Sequence, residues 1–340
     1  MESPKKLRIA LDAMGGDYAP EREVAGAVEA IRASHEQFEI VLVGDEQAIN
    51  HQLALQRVKD GPFTIKHASQ IIGMADSPTA ALKQKKDSSL AVGMRLHKEG
   101  NVHAFVSAGN TGAVLSAATL ILGRIKHVSR PTIGTFIPAD QGMCLLIDAG
   151  ANVDCRAQYL YEFAVMGSIY VQLLKNKERP SIALLNVGEE KTKGTEAVLD
   201  AYKLLSASKY NFIGNVEGGD ILKLKADVVV CDGFVGNIVL KFGESVTPFL
   251  KSRLKNFSTR GILNKLAVGM TLWPLKASLR DMDPNEEGGV PVLGVNGVTI
   301  IGHGNSKPKG IKNMILRAAE VAQSQVNRQI ETALAEKGFS

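Results

Sequence analysis

Short runs of consecutive apolar residues alternate along the chain with longer stretches in which apolar positions recur every three to four residues. The runs predict strands at Leu7–Asp12, Phe38–Val43, Val102–Val106, Thr132–Ile137, Met143–Asp148, Ser181–Asn186, Asp227–Cys231 and Val298–Ile301. Several, among them IVLV, CLLI, IALL and DVVVC, lack polar alternation, which predicts strands covered on both faces. Helices are predicted between them: Glu21–Ala33 behind Pro20, Thr79–Lys86 behind Ser77-Pro78, Thr111–Leu122, Ala157–Leu174, Glu190–Ser206 and Lys309–Glu336. Serine before proline has the form of an N-cap and first turn. The last helix carries Ile311, Met314, Ile315, Ala318, Ala322, Val326, Ile330 and Leu334 on one stripe, with Gly338 beyond its end,. Alternating units of this kind predict an α/β fold with a doubly wound, mixed sheet, and residues 1–340 as a single large domain.

Residues 244–281 break the rhythm. They hold no strand signal and predict two helices, Glu244–Phe257 and about Ile262–Leu275, joined near Gly261 as a projecting hairpin. From Lys251 to Arg280 every charged residue is basic: Lys251, Arg253, Lys255, Arg260, Lys265, Lys276 and Arg280. Leu254, Phe257, Leu263, Leu266 and Trp273 recur among them. A basic amphipathic pair suits the interface of an anionic bilayer and is too short and too charged to span one. The same apolar stripe also suits a two-fold dimer contact, and both readings stand open.

Composition excludes other classes. With 45% apolar and 22% charged residues the chain has enough apolar surface for a core,. Three cysteines in 340 residues cannot make a disulfide framework,. The longest uncharged stretch, Val102–Gly123, holds Ser107, Gly109, Asn110, Thr111 and Gly112 at its middle. It therefore reads as strand, loop and helix rather than a bilayer span. The N-terminus does not read as a secretory signal, so a cytoplasmic protein is expected. The net charge of +5 calls for no nucleic-acid partner.

The chemistry concentrates in polar turns that directly follow apolar strands. They are Asp12 to Asp17 with Gly15 and Gly16; Ser107 to Gly112; Asp148 to Asn152; Asn186 to Glu190 with Gly188 and Glu189; Asp232 to Asn237 with Gly233 and Gly236; and His303 to Asn305. Glycine-rich turns expose backbone N–H groups, and the helices behind them add positive potential. If all six turns share one sheet edge, they make an anion-binding cleft. Any one turn alone is equally well a structural necessity. No G-x-G-x-x-G, P-loop or G-x-S-x-G pattern occurs, and no cysteine sits in a nucleophile context. If the chain is a transferase, its nucleophile is then a bound small molecule.

DAMGGDYAP at 12–20, MADSPTAALKQKKDSS at 74–89, SAGNTGA at 107–113, LIDAGAN at 146–152, LNVGEEKTKG at 185–194, NVEGGD at 215–220 and DGFVGNIVLK at 232–241 follow one another in order. This series resembles the motifs of PlsX-type phosphate acyltransferases over most of the chain. One departure is Lys-Gln-Lys-Lys at 83–86, where the pattern implies an arginine. The resemblance implies an enzyme that converts acyl–acyl carrier protein and inorganic phosphate into acyl phosphate, without a cofactor. The product then serves a membrane-bound glycerol-3-phosphate acyltransferase. It further implies a fold like isopropylmalate dehydrogenases and phosphotransacetylases, a homodimer, and a place at the inner face of the cell membrane.

Roles follow from that chemistry, which needs an anion site and a stabilised tetrahedral oxyanion. Asn110, with the backbone of Gly109, Thr111 and Gly112, holds phosphate or the oxyanion. Lys193 is the candidate cation, or else a solvated lysine. Asp232 and Asn237 orient the cradle, and Asp12 and Asp17 order the glycine loop or cap a helix. Asn152, Asn186 and Glu189 stand behind these, and His303 is a candidate acid. Lys83, Lys85, Lys86, Arg95 and Lys98 offer a basic face for an acidic carrier protein, or simply a solvated one. The alternatives are a phosphotransacylase using acyl-CoA, a non-catalytic membrane scaffold, and a dehydrogenase of the same fold.

Overall fold

Apolar alternation across the strands decides how the layers form. A computed structural model describes residues 6–336 except Lys59 and Leu279, and leaves the side chains of Trp273, Lys276, Ser278, Asp281 and Pro284 undescribed. Gly338 lies outside the described residues, and so does the Trp273 side chain. The strands are β1 Leu7–Asp12, β2 Phe38–Gly44, β3 Phe63–His67, β4 Ala104–Ser107, β5 Thr132–Ala139, β6 Gly142–Ile147, β7 Ile182–Leu185, β8 Phe212–Val216, β9 Val228–Val230, β10 Val290–Leu293 and β11 Val298–Ile301. The helices are α1 Glu21–Ala33, α2 Glu46–Leu55, α3 Pro78–Gln84, α4 Ser89–Lys98, α5 Thr111–Ala117, α6 Ala157–Lys175, α7 Glu196–Ser206, α8 Gly218–Ile221, α9 Gly233–Ser258, α10 Ile262–Ser278, α11 Pro284–Glu287, α12 Pro308–Ser324 and α13 Val326–Ala335.

All eight expected strands form, and three more join them in an 11-stranded sheet of order β3-β2-β1-β4-β11-β10-β5-β6-β9-β7-β8. The first half, β3 to β11, is parallel. Strand β10 runs antiparallel to both of its neighbours, and the β5–β6 hairpin reverses direction again. The second half, β6 to β8, is parallel within itself but points opposite to the first.

Both faces are covered, as continuous apolar runs require. In the first half Ile9, Leu11, Ile40, Leu42, Val106 and Ile300 face α1 and α12. Their alternates Ala10, Val41, Phe105 and Ile301 share a core with residues of α4 and α5. In the second half Leu145, Ile147, Ile182, Leu184, Val228 and Val230 pack on α6, α7 and α13.

Several boundaries differ from expectation. Residues 190–195 form a loop, and α7 starts at Glu196 behind the Thr195 cap. The long C-terminal helix is two, because Gln325 adopts φ 55°, a left-handed conformation that turns the chain. Its stripe is shared out accordingly. Ile311, Met314, Ile315 and Ala318 serve the first-half core, whereas Val326, Ile330 and Leu334 serve the second. The first helix of the projecting hairpin belongs to α9, which begins at the end of β9 rather than at Glu244.

Asp227 ties the second half together at the start of β9. Its carboxylate accepts from the Ser181 amide at 2.7 Å and hydroxyl at 2.6 Å, and from Lys177 at 2.7 Å. Burial pushes its pKa up, but Lys177 and Ser181 outweigh that and hold it below the usual range. Hydrogen bonds to charged groups contribute about 1.5–3 kcal/mol each. Asp227→Ala is expected to cost about 3 kcal/mol at pH 7, read as a fall of several degrees in melting temperature. The wild-type advantage should shrink as pH falls through the carboxylate range, because the depressed group then protonates.

Candidate active site

The polar turns form two groups at opposite edges of the sheet, not one. Asp12–Asp17, Ser107–Gly112 and His303–Asn305 follow β1, β4 and β11, which run parallel. Asp148–Asn152, Asn186–Glu190 and Asp232–Asn237 follow β6, β7 and β9, which run the other way. The shared single edge expected from the sequence is thus corrected by the reversal at β10 and the β5–β6 hairpin.

In the first group Asp12 is the anchor. It is 1% exposed and accepts from Ser107 Oγ at 2.8 Å and the Met14 amide at 3.2 Å. Burial raises its pKa, with Ser89, Ser107 and Met14 pulling the other way. Ser107 Oγ in turn accepts from the Gly109 amide at 3.1 Å. The two turns touch, since a β-carbon on Gly109 would lie 3.2 Å from the Gly15 carbonyl. Asp17 donates its amide to the Gly304 carbonyl at 2.8 Å, which brings in the third turn. Among the described residues no acceptor faces the amides of Gly15 and Gly16.

Asn110 has a different occupation from the one expected. Its Oδ1 caps α5 by accepting from the Ala113 amide at 3.0 Å. Its Nδ2 donates to the carbonyls of Met74 at 3.0 Å and Asp76 at 3.1 Å. The side chain is therefore committed to the 73–76 loop, and what it leaves for a ligand is the backbone start of α5, Asn110 to Gly112. Lys85 fixes the same loop, bonding Asp76 at 2.5 Å and the Ile71 carbonyl at 2.8 Å. Lys85 holds the Asp76 carboxyl below its ordinary pKa.

The second group is built on Asp148, a fully buried carboxylate. It accepts from the amides of Gly150, Ala151 and Asn152 and from Asn152 Nδ2, all within 2.8–2.9 Å. Burial raises its pKa against these four donors. The Asn152 carbonyl accepts from the Gly233 amide at 2.7 Å, and Asp232 caps α9 through the Val235 amide at 2.8 Å. A β-carbon on Gly236 would collide with the Asp148 carbonyl, and Asn237 lies against Gly150. The backbone of α9 therefore sits directly on the Asp148 turn.

The third turn on this edge is a web of exposed ion pairs. Lys193 meets Glu190 at 2.8 Å, and Glu189 meets Lys225 at 2.5 Å. Asn186 Nδ2 donates to the Lys193 carbonyl at 2.9 Å, and Gly188 lies against the Lys193 stem. Lys193 is half exposed and already neutralised, and no polar contact joins it to Asn110 among the described residues.

Two helices connect the edges. Helix α5 starts beside Ser107 and continues as a π-helical turn, Ala118–Leu122, to the opposite edge. There the Gly123 carbonyl accepts from the Asn296 amide ahead of β11. Helix α9 returns from Asp232, and about 16 Å along its axis Glu244 Oε1 meets His303 Nε2 at 3.3 Å. His303, a candidate acid from the sequence, is thus in contact with α9. This contact and the hydrogen bond from Lys241 bring the Glu244 carboxyl down to about 2. Leu240 and Ala151 share one core cluster with Val114, Ala117 and Ala118.

Sequence reasoning passed over Glu244 and Arg130. The Arg130 guanidinium stands 6.0 Å over the Tyr159 ring, and its neighbour Pro131 accepts from Asn152 Nδ2 at 2.8 Å. Neither has a motif signal, since topology alone brings them to the turns. Ser107, Cys155 and Cys231 are poorly placed as nucleophiles. Ser107 is buried and donates to Asp12. Burial pushes the Cys155 thiol up to about 12 and Cys231 well above its usual range. No group of three His, Cys, Asp or Glu suited to a metal occurs among the described residues.

A family model described as "Fatty acid synthesis protein" matches residues 7–329. The chain is 45% identical to a phosphate acyltransferase of Dictyoglomus turgidum over 327 residues, covering 95% of this chain and 96% of that one. It is 46% identical to a phosphate acyltransferase of Heliobacterium modesticaldum over 333 residues, covering 97% of each. The chain belongs to this phosphate acyltransferase family, the PlsX type. It is accordingly an acyltransferase. Its fold is that of a phosphotransacetylase from Streptococcus pyogenes, with a TM-score of 0.62 at 16% identity over 95% of this chain and 94% of the other. A branched-chain phosphotransacylase from Enterococcus faecalis gives 0.60 at 13% identity, covering 93% and 99%.

The seat of α9 on Asp148 can be tested sterically. Gly236→Ala is expected to lose about 1–3 kcal/mol through overpacking against backbone and to lower turnover. Gly218→Ala, where the β-carbon meets nothing within 4 Å, should change the melting temperature by less than about a degree and leave turnover intact.

Proposed function

We propose that the chain transfers a fatty acyl group from acyl–acyl carrier protein to inorganic phosphate, giving acyl phosphate by direct attack of bound phosphate on the thioester. The near full-length likeness to proteins named phosphate acyltransferase carries this reading. The geometry supports it. The free amides of Gly15 and Gly16 abut the Ser107–Gly112 turn and the start of α5, which together suit an anion. Phosphate is already anionic at neutral pH, so holding it in line with the carbonyl supplies much of the rate. Asn110 serves by shaping the turn, and its backbone and that of Gly112 face the ligand. The Asp148–Asn152 and Asp232–Asn237 turns position α9 along the acyl donor. Lys193 is in reserve as a cation that must leave Glu190 to reach a ligand.

The donor is read from charge. Lys83 and Lys86 stand exposed on or beside α3, and α3 packs on α5, whereas Lys98 lies at the far end of α4, away from Ser89 and Asp12. A basic face thus adjoins the proposed phosphate site and suits an acidic carrier protein. An assay offering acyl–acyl carrier protein and acyl-CoA side by side is expected to favour the former. Incubation with radiolabelled donor and no phosphate should leave the protein unlabelled. A stoichiometric acyl-enzyme would overturn direct attack, and equal use of acyl-CoA would overturn the donor assignment.

The product, a long-chain acyl phosphate, belongs at a membrane that holds its acceptor enzyme, a glycerol-3-phosphate acyltransferase. No helix among the described residues is long and apolar enough to cross a bilayer. The α9–α10 tip instead exposes Phe257, Leu263 and Leu266 beside Arg260 and Lys265, with Leu254 partly buried. We read this tip as a weak, peripheral contact with an anionic inner leaflet, where each basic side chain contributes about 1 kcal/mol. A homodimer that pairs the two hairpins is compatible with it. Wild type should sediment with anionic vesicles and not with neutral ones. Leu263→Glu with Leu266→Glu should abolish this while the oligomeric state holds; unchanged binding in that variant would refute the contact.

A further inference from the structure

Glu23 lies in the first turn of α1, yet it is 1% exposed. Its Oε2 has no hydrogen-bond partner among the described residues. Its Oε1 occupies the space beside Gly16, where a β-carbon would collide with it. Gly16 is one of the two residues whose amides are free in the turn after β1. A β-carbon on the same glycine would also lie 3.3 Å from the Gly304 carbonyl, which accepts from the Asp17 amide. A buried carboxyl with one unpartnered oxygen is therefore wedged behind the turn that presents donors to an anion.

We propose that Glu23 is a positioning residue for anion binding: uncharged, its carboxyl braces Gly16 and holds the Gly15–Asp17 turn for phosphate, and ionised, it weakens that binding. This rests on reading the turn as the phosphate site. An ionised carboxylate with an oxygen that lacks a donor carries a desolvation penalty. It lowers that cost by drawing in water or shifting, and either displaces Gly16. It also adds a negative charge next to a bound dianion.

The surroundings place this change in the working pH range. Burial, with Asp12 and Asp17 adding smaller pushes, lifts Glu23 to about 7, against the pull of its own amide and of Arg22. Arg22 itself points away, donating to the Asn305 carbonyl at 2.8 Å. From the α12 side, Lys309 is paired with Glu286 and Lys307 bears on Asp283. Among the described residues no cation forms an ion pair with Glu23, and only the charge of Arg22 pulls on it.

The test is Glu23→Gln, which keeps the shape and cannot ionise. Phosphate binding by calorimetry and the KM for phosphate are measured from pH 6 to 8.5 in both proteins, so that phosphate's own titration cancels. The wild type to variant ratio of Kd should rise about tenfold between pH 6 and 8, with kcat at saturating phosphate nearly unchanged. A ratio that stays flat overturns the proposal.

A second readout needs no turnover. A carboxyl whose folded pKa is raised stabilises below its unfolded value and loses that contribution as pH rises through the folded one. The melting temperature of wild type relative to the variant should therefore fall between pH 4.5 and about 7 and then level off. Should glutamine not be accommodated, Gly16→Ala is expected to lose phosphate binding and Gly16→Ala with Glu23→Ala to regain it. Absence of rescue contradicts the brace. A chain that binds phosphate with this pH dependence but forms no acyl phosphate would fail the functional reading and leave Glu23's role standing. Failure of wild type to bind phosphate at pH 6 overturns both.

Discussion

Taking a carboxylate fully out of water is tolerable only when donors surround it, and Asp148 meets that condition with four,. The consequence reaches well beyond the turn. Once Gly150, Ala151 and Asn152 fold back onto the carboxylate, the Asn152 carbonyl is aimed at the Gly233 amide and the Asp148 carbonyl at Gly236. Those contacts fix where a 26-residue helix begins and the direction in which it leaves the sheet. That direction carries Glu244 to His303 and so joins the two edges of the sheet. The Asp12–Ser107–Gly109 chain does the same service on the other edge, at smaller scale.

How much of this was legible in the sequence depended on what each residue's neighbours could reveal. Leu7–Asp12 and Val298–Ile301 were readable to the residue because their apolar runs end at polar or glycine turns. The three strands that pattern reading passed over lack that contrast. The segment FTIKH of β3 is mostly exposed at the sheet margin, FIGNV of β8 carries glycine and asparagine, and VPVL of β10 carries proline. Proline is tolerated there because the strand has only short pairings with its neighbours,.

The site was legible as a set of residue types and not as a place. Strand direction is a long-range property, so nothing local in Met143–Ile147 announces that it runs against Leu7–Asp12. A side chain's partners are equally hidden. Asn110 is chosen well for a turn, but whether its amide faces a ligand or the carbonyls of 74 and 76 depends on a loop about 35 residues earlier. His303 has the chemistry of an acid, but that it faces a carboxylate nearly sixty residues upstream is invisible in its own segment. Family likeness supplied the reaction class, and the geometry supplied which groups are already committed and which remain free.

The strand order has a bearing on biosynthesis. Strand β11 sits between β4 and β10, and α12 covers the same first-half core as α1. The parallel sheet that opens the chain is therefore completed by segments translated after residue 297. Beyond the break at Gln325, α13 closes the core of the middle segment. A nascent chain thus exposes both unfinished cores until its last helices emerge. Non-local closure of this kind slows folding and leaves apolar edges open to aggregation.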